Sequence, residues 1–214
     1  VYNLLQSEEF VRLEDEFPFL RRAREHFSGL RGISCVILDI ETTGLEPEQN
    51  EIIEIAALKI EKGNIEEVFN SLINIHKPLP LEIVRLTGIT PEMLLEGEDK
   101  ASALQKLLAF LKDTPLIAHN IEFDVPFLNH HIQSTLGVAL NNQLICTLKL
   151  SRRLLPSLAS HKLKKVAEHF NIPTPLVHRA PGDVEITYQL WLKLIELLEK
   201  HGISTLENVL QYGV

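Results

Sequence analysis

The chain has 214 residues, is 45% hydrophobic and carries a formal charge of -8. That length and apolar content suit one domain with a small appendage. The negative balance excludes a protein that grips duplex phosphates with its whole surface, but not one with a cleft whose field a metal ion reverses. No run of eighteen apolar residues and no basic-then-apolar leader is found, so no membrane partner and a soluble, cytoplasmic protein are expected. Cys35 and Cys146 sit in apolar runs and read as small core residues of a reducing compartment, and no zinc spacing exists.

In chain order, residues 1–31 read as a helical extension. SEEFVRLEDEF and PFLRRAREHF form two short pieces, with Pro18 acceptable only in the first turn of the second. Phe17, Leu20, Ala23 and Phe27 make one apolar stripe, suited to packing on the domain or docking another chain. Gly29 and Gly32 punctuate the boundary. The main domain is expected over 32–201, followed by a short C-terminal segment, 202–214. Within it SCVILDI predicts a central strand buried on both faces. Two longer runs around Lys62-Gly63-Asn64 predict a hairpin. A short helix follows over PLPLEIVRL, then a Gly88 break and a Thr90-Pro91 restart. Leu104, Leu107, Leu108 and Leu111 predict an amphipathic helix over 101–111. PLIAH and LICTL predict short strands. FDVPFLNHHIQSTLG predicts a helix starting near Asp124, a start that makes Pro126 tolerable. HKLKKVAEHFNI predicts another helix, and DVEITYQLWLKLIELLEKHG a long one ending at Gly202. Early hairpins and late βα units imply an α/β fold: a mixed five-stranded sheet, three early antiparallel strands and then two in βα units, with helices on both faces.

Three places concentrate chemistry. In LDIETTGL, Asp39 and Glu41 stand two apart at a strand end and share one face if the strand stays extended. Their repulsion would be relieved by a cation, although such a pair alone also fits a solvated edge. In AHNIEFDVPFL, Asp124 opens a helix, where an acid is also an ordinary terminus device. In VHRAPGDVEIT, His178 and Asp183 bracket a Pro181-Gly182 turn; separately they would pass for a loop histidine and a cap. Together they supply four carboxylates and one histidine at element ends. Hard divalent ions take oxygen ligands, and two of them roughly 4 Å apart stabilise attacking and leaving oxygens. Histidine is the side chain whose ordinary pKa suits proton removal near neutrality.

On these segments, with RLTGITPEML and SHKLKKVAEHFNI between them, the chain resembles the DEDD superfamily of 3′→5′ exonucleases. It is most similar to the histidine branch and to the proofreading exonuclease domains of bacterial replicative DNA polymerases. The likeness covers roughly Ile33 to Lys200. His178 stands five residues before Asp183, and Arg179 occupies the place where the sister branch has tyrosine. The resemblance implies a ribonuclease H-like fold and two divalent ions, Mg²⁺ or Mn²⁺, held by Asp39, Glu41, Asp124 and Asp183. It further implies His178 as general base and Glu41 as a contact to the terminal 3′ hydroxyl. Thr42, Thr43 and Gly44 would line the terminal nucleotide, with His119, Asn120 and Phe123 supporting the second motif near the substrate. Pro181-Gly182 and Val184 depart from the commoner third-motif text, which predicts a stiffness change in the His178 loop and unchanged chemistry.

The implied activity is metal-dependent hydrolysis of single-stranded or frayed DNA 3′ ends to nucleoside 5′-monophosphates, in proofreading or repair. The implied partners are that DNA end and a DNA polymerase catalytic subunit. Two other readings use the same residues: a 3′→5′ exonuclease acting on RNA or oligoribonucleotides, and a polymerase- or helicase-binding module on a nuclease fold.

Overall fold

The computed structural model describes residues 28–174 and 178–213. The expected helices of the extension lie outside the described residues. Its last part is a short 3-10 turn, Gly29–Gly32, with Leu30 buried.

The apolar run at Cys35 forms β1 (Cys35–Thr42), in the middle of a five-stranded sheet of order β3-β2-β1-β4-β5. β2 (Ile52–Glu61) and β3 (Asn64–Leu72) are the hairpin. Lys62 and Gly63 both take positive φ, 51° and 79°, the signature of a tight turn that matches strand twist. β1–β2 and β2–β3 are antiparallel, whereas β4 (Leu116–Ala118) and β5 (Leu144–Cys146) join in parallel. The expected mixed sheet is therefore borne out.

Side chains of β1 alternate between two cores. Val36, Leu38 and Ile40 meet α3 (Lys100–Leu111) and α4 (Ile121–Leu136) through Leu104, Leu107, Phe127 and Leu128. Cys35 and Ile37 face the other side, where α5 (Thr147–Leu154), α6 (Leu163–His169) and α7 (Ala180–Lys200) contribute Leu150, Val166, Trp191 and Leu194. Phe127 and Leu194 are fully buried, and truncating either to Ala would cost about 3–5 or 2–5 kcal/mol respectively. Helices thus cover both faces. α1 (Leu81–Thr87) ends on left-handed Gly88, and α2 (Pro91–Leu95) starts with the Thr90 hydroxyl accepting the Met93 N–H.

Some boundaries differ from expectation. α4 begins at Ile121, so Pro126 lies inside it. The missing N–H would have bonded the Glu122 carbonyl; both residues are exposed, so water can satisfy that group. Pro181 and Gly182 are not a turn but the first turn of α7, where proline's missing N–H matters least. Two helices were not expected. α5 follows β5 directly, burying Thr147, Leu150, Ser151 and Leu154 at helical spacing. α8 (Leu206–Tyr212) lies in the C-terminal segment, with Thr205 capping Asn208 N–H and Val209 fully buried.

Candidate active site

The site gathers at the carboxyl ends of β1 and β4, where open α/β sheets commonly bind ligands. β1 stays extended through Glu41, with an irregularity only between Glu41 and Thr42. Asp39 and Glu41 therefore point to the same side as Cys35 and Ile37, the side covered by α7. Asp183 is in the first turn of α7 and meets them there. One carboxylate oxygen from each of Asp39, Glu41 and Asp183 lies within 4.8 Å of the other two. Asp124, in the first turn of α4, is outside that trio but is electrostatically coupled to Asp39. It is 2% exposed and bonded to the Ile40 backbone.

Crowded acids in a dry place resist ionising. Burial, then the charges of Asp124, Asp183, Glu41 and Glu54, pushes Asp39 well above the carboxylate range. Burial followed by Asp183 and Glu54 raises Glu41 to about 8. Burial raises Asp124 to about 7 against two backbone hydrogen bonds, and raises Asp183 against the opposing pull of His178. One oxygen of Asp183, Oδ1, is buried with no hydrogen-bond partner. An unsatisfied carboxylate oxygen beside two more acids fits a hard divalent cation, which would supply the missing ligand and the missing charge.

His178 sits at the rim, with its side chain 40% exposed and Nδ1 3.5 Å from Asp183 Oδ2. Its backbone N–H donates to the Leu86 carbonyl at the end of α1, at 3.2 Å.

The loop after β1 is tightly knotted. The Thr42 hydroxyl donates to the Gly44 carbonyl (2.6 Å) and that of Thr43 to Asn50 Oδ1 (3.2 Å). The Thr43 hydroxyl also accepts the Glu51 N–H at 3.0 Å. Gly44 packs so closely on the Asn50 amide that a methyl there would overlap it. In the second motif Asn120 is exposed and left-handed (φ 78°), and its carbonyl accepts the Phe123 N–H. Phe123 is half-buried, its ring centroid 5.2 Å from that of Phe127. His119 uses both ring nitrogens inside the protein, Nδ1 with Thr147 Oγ1 at 3.0 Å and Nε2 with the His161 carbonyl at 2.8 Å. Burial lowers its pKa to about 4, so it is neutral near pH 7.

Sequence reasoning passed over Glu54. It is fully buried, directly opposite Glu41 in the β1–β2 register, and held by Arg179. The available signal was an acid inside the apolar run IIEIAAL.

The Exonuclease (RNase T) family model matches residues 36–191. The chain belongs to the exonuclease family. It is 37% identical over 170 residues to the DNA polymerase III subunit epsilon of Aquifex aeolicus, a match covering 79% of this chain and 84% of that protein. It is also 37% identical over 201 residues to the PolC-type DNA polymerase III of Thermotoga maritima, covering 94% of this chain but only 15% of the polymerase. Two solved structures share the fold. One is exonuclease X in complex with 5′ overhanging duplex DNA (TM-score 0.60, 22% identity, 84% of this chain and 99% of that one). The other is Escherichia coli exonuclease I with a dT13 oligonucleotide (TM-score 0.71, 18% identity, 79% and 42%). The fold is thus the ribonuclease H-like one that the resemblance implied.

Proposed function

We infer that this member of the exonuclease family hydrolyses DNA stepwise from the 3′ end, releasing nucleoside 5′-monophosphates. The observation that carries this reading is the convergence of Asp39, Glu41 and Asp183, with the charge of Asp124 felt by Asp39 and Glu41 and with His178 beside Asp183.

Asp39, Glu41, Asp124 and Asp183 would hold two divalent ions, Mg²⁺ or Mn²⁺. Such ions, when bound, supply positive charge to the scissile phosphate and make water more acidic. The chain's own residues do the rest. His178 turns Nδ1 toward Asp183, which leaves Nε2 to take the proton of the attacking water. Asp183 orients that imidazole. The Thr42–Gly44 loop, braced by Asn50 and Glu51, would line the terminal nucleotide, and Glu41 would contact its 3′ hydroxyl. Asn120 and Phe123 border the same nucleotide from the second motif. A frayed or single-stranded end is preferred, because an unpaired terminus costs less to draw into the site.

The similar epsilon and PolC-type proteins are DNA polymerase III components, which favours DNA over RNA and proofreading or repair as the setting. A polymerase catalytic subunit is the partner this implies. Among the described residues no helix is long and apolar enough to cross a membrane. The likeness to DNA polymerase III proteins supports a cytoplasmic setting.

The test is digestion of a 3′-labelled single strand with Mg²⁺ or Mn²⁺. Release of labelled mononucleotide, abolished by chelation and by Asp39→Asn, is expected. An Asp39→Asn protein as fast as wild type would sink the reading.

A further inference from the structure

Glu54 has no business in β2 unless something needs it there. Its neighbours Ile53 and Ile55 are fully buried, and so is Glu54 itself. It stands opposite Glu41, and like charges directly across two strands repel. Arg179 answers that charge with a fork: Nε lies 2.9 Å from Oε2 and 3.1 Å from Oε1, and Nη2 lies 2.5 Å from Oε1. The backbone N–H of Ala180 adds a fourth bond, to Oε2 at 3.1 Å. Arg179 is the N-cap of α7 and follows His178 directly. On the other side, the His178 backbone N–H is tied to the Leu86 carbonyl. The backbone that carries the imidazole is thus gripped at His178 by α1 and just after it by β2.

We propose that Glu54 and Arg179 are a positioning pair, locking the start of α7 onto β2 so that His178 and Asp183 meet Asp39 and Glu41 in one fixed register. The proposal rests on the reading of His178 and Asp183 as nuclease machinery. α7 does not need the fork in order to fold. Trp191, Leu194, Ile195 and Leu198 anchor it along its length, all at 2% exposure or less. The fork acts only at the end that bears the two functional groups. A planar bidentate guanidinium fixes direction as well as distance, which a lysine ammonium does not. Neither residue touches substrate in this scheme. Each acts through the backbone of residues 178–183.

The test compares Arg179→Lys, which keeps the charge but loses the fork, with the double variant Glu54→Met/Arg179→Met, which leaves no buried charge unpaired. Wild type and His178→Ala are assayed beside them on a 3′-labelled single strand with Mg²⁺. Both pair variants are expected to melt cooperatively, to keep KM near the wild-type value and to lose roughly 10- to 100-fold in kcat, since misplacements of about 1 Å cost that much. The NMR resonance of the His178 Cε1 proton should shift or broaden in each. A His178→Ala protein with wild-type activity would count against the reading of the site, whereas the His178 resonance reads the pair independently of turnover. Unchanged kcat and an unmoved His178 resonance in both variants, with only the melting temperature lowered, would overturn the proposal and leave the pair a structural bond.

Discussion

Asp183 divides its carboxylate: Oδ2 lies 3.5 Å from His178 Nδ1, while Oδ1 is buried without a partner. One oxygen thus serves the histidine and the other is left for a cation. Asp183→Asn should lose both services. We expect the exonuclease rate to fall about 10³-fold, the equivalent of several kcal/mol of transition-state stabilisation. The rise in melting temperature on adding Mn²⁺ should shrink or vanish, because the amide is a poorer ligand. Steady-state kinetics and thermal melts with and without Mn²⁺ check this. Full metal stabilisation in the variant would remove Asp183 from the ligand set.

The raised carboxylates make a pH prediction with a definite sign. Glu41 titrates at about 8 and Asp124 at about 7, far above their values in an unfolded chain. Between the ordinary carboxylate range and about pH 8 the folded state therefore holds more protons than the unfolded one. The stability these groups contribute is complete below the ordinary range and is lost as pH rises through the raised values. Metal-free protein should melt several degrees lower at about pH 8 than at about pH 5, on a scale of roughly 2–4 °C per kcal/mol. Mg²⁺ should restore the loss at pH 8 and do little at pH 5, where protons already occupy the site. A metal-free melting temperature that climbs steadily across that range would contradict the arrangement of charge described here.

Gly44 is expected to matter through space rather than through backbone freedom. A methyl at this position overlaps the Asn50 amide, which the Glu46 carbonyl and the Thr43 hydroxyl hold in place. Gly44→Ala should push Asn50 aside and release Thr43, loosening the wall of the proposed nucleotide pocket. KM for a single-stranded oligonucleotide should rise about tenfold, the effect of losing one hydrogen bond's worth of ordering, with little change in folding stability. An unaltered KM would show that the loop does not border the substrate.

His119 should behave as a structural bridge. A carbonyl only accepts, so Nε2 carries the hydrogen toward His161, while Nδ1 lies against the Thr147 hydroxyl, which itself donates to the Ala118 carbonyl at 3.2 Å. His119→Ala leaves the His161 carbonyl without its donor and should cost about 1–3 kcal/mol in a urea unfolding experiment, with KM nearly unchanged. A large rise in KM without loss of stability would make His119 a substrate contact instead.

Much of this was legible in the sequence because the decisive groups sit at element ends, where local pattern is strong. The alternation of Ile37, Asp39 and Glu41 needed only β geometry, and the Lys62-Gly63 turn announced the hairpin. Asp124 was singled out in spite of a misplaced helix start, since Pro126 argued locally for a later beginning and only its exposed setting allows the earlier one. α5 was missed because Thr147 and Ser151 occupy two of its buried positions, which blurs an apolar stripe. The Glu54–Arg179 pair could not be read at all: 125 residues separate the partners, and nothing local tells a buried acid that it will find a guanidinium.

The most direct measurement is the single-turnover release of the terminal nucleotide from a 3′-labelled single strand with Mg²⁺, wild type against His178→Ala. We expect label to leave as the mononucleotide, with His178→Ala slower by about 10²–10⁴-fold, the usual worth of a general base. Equal rates, or label appearing in internal fragments, would contradict the account.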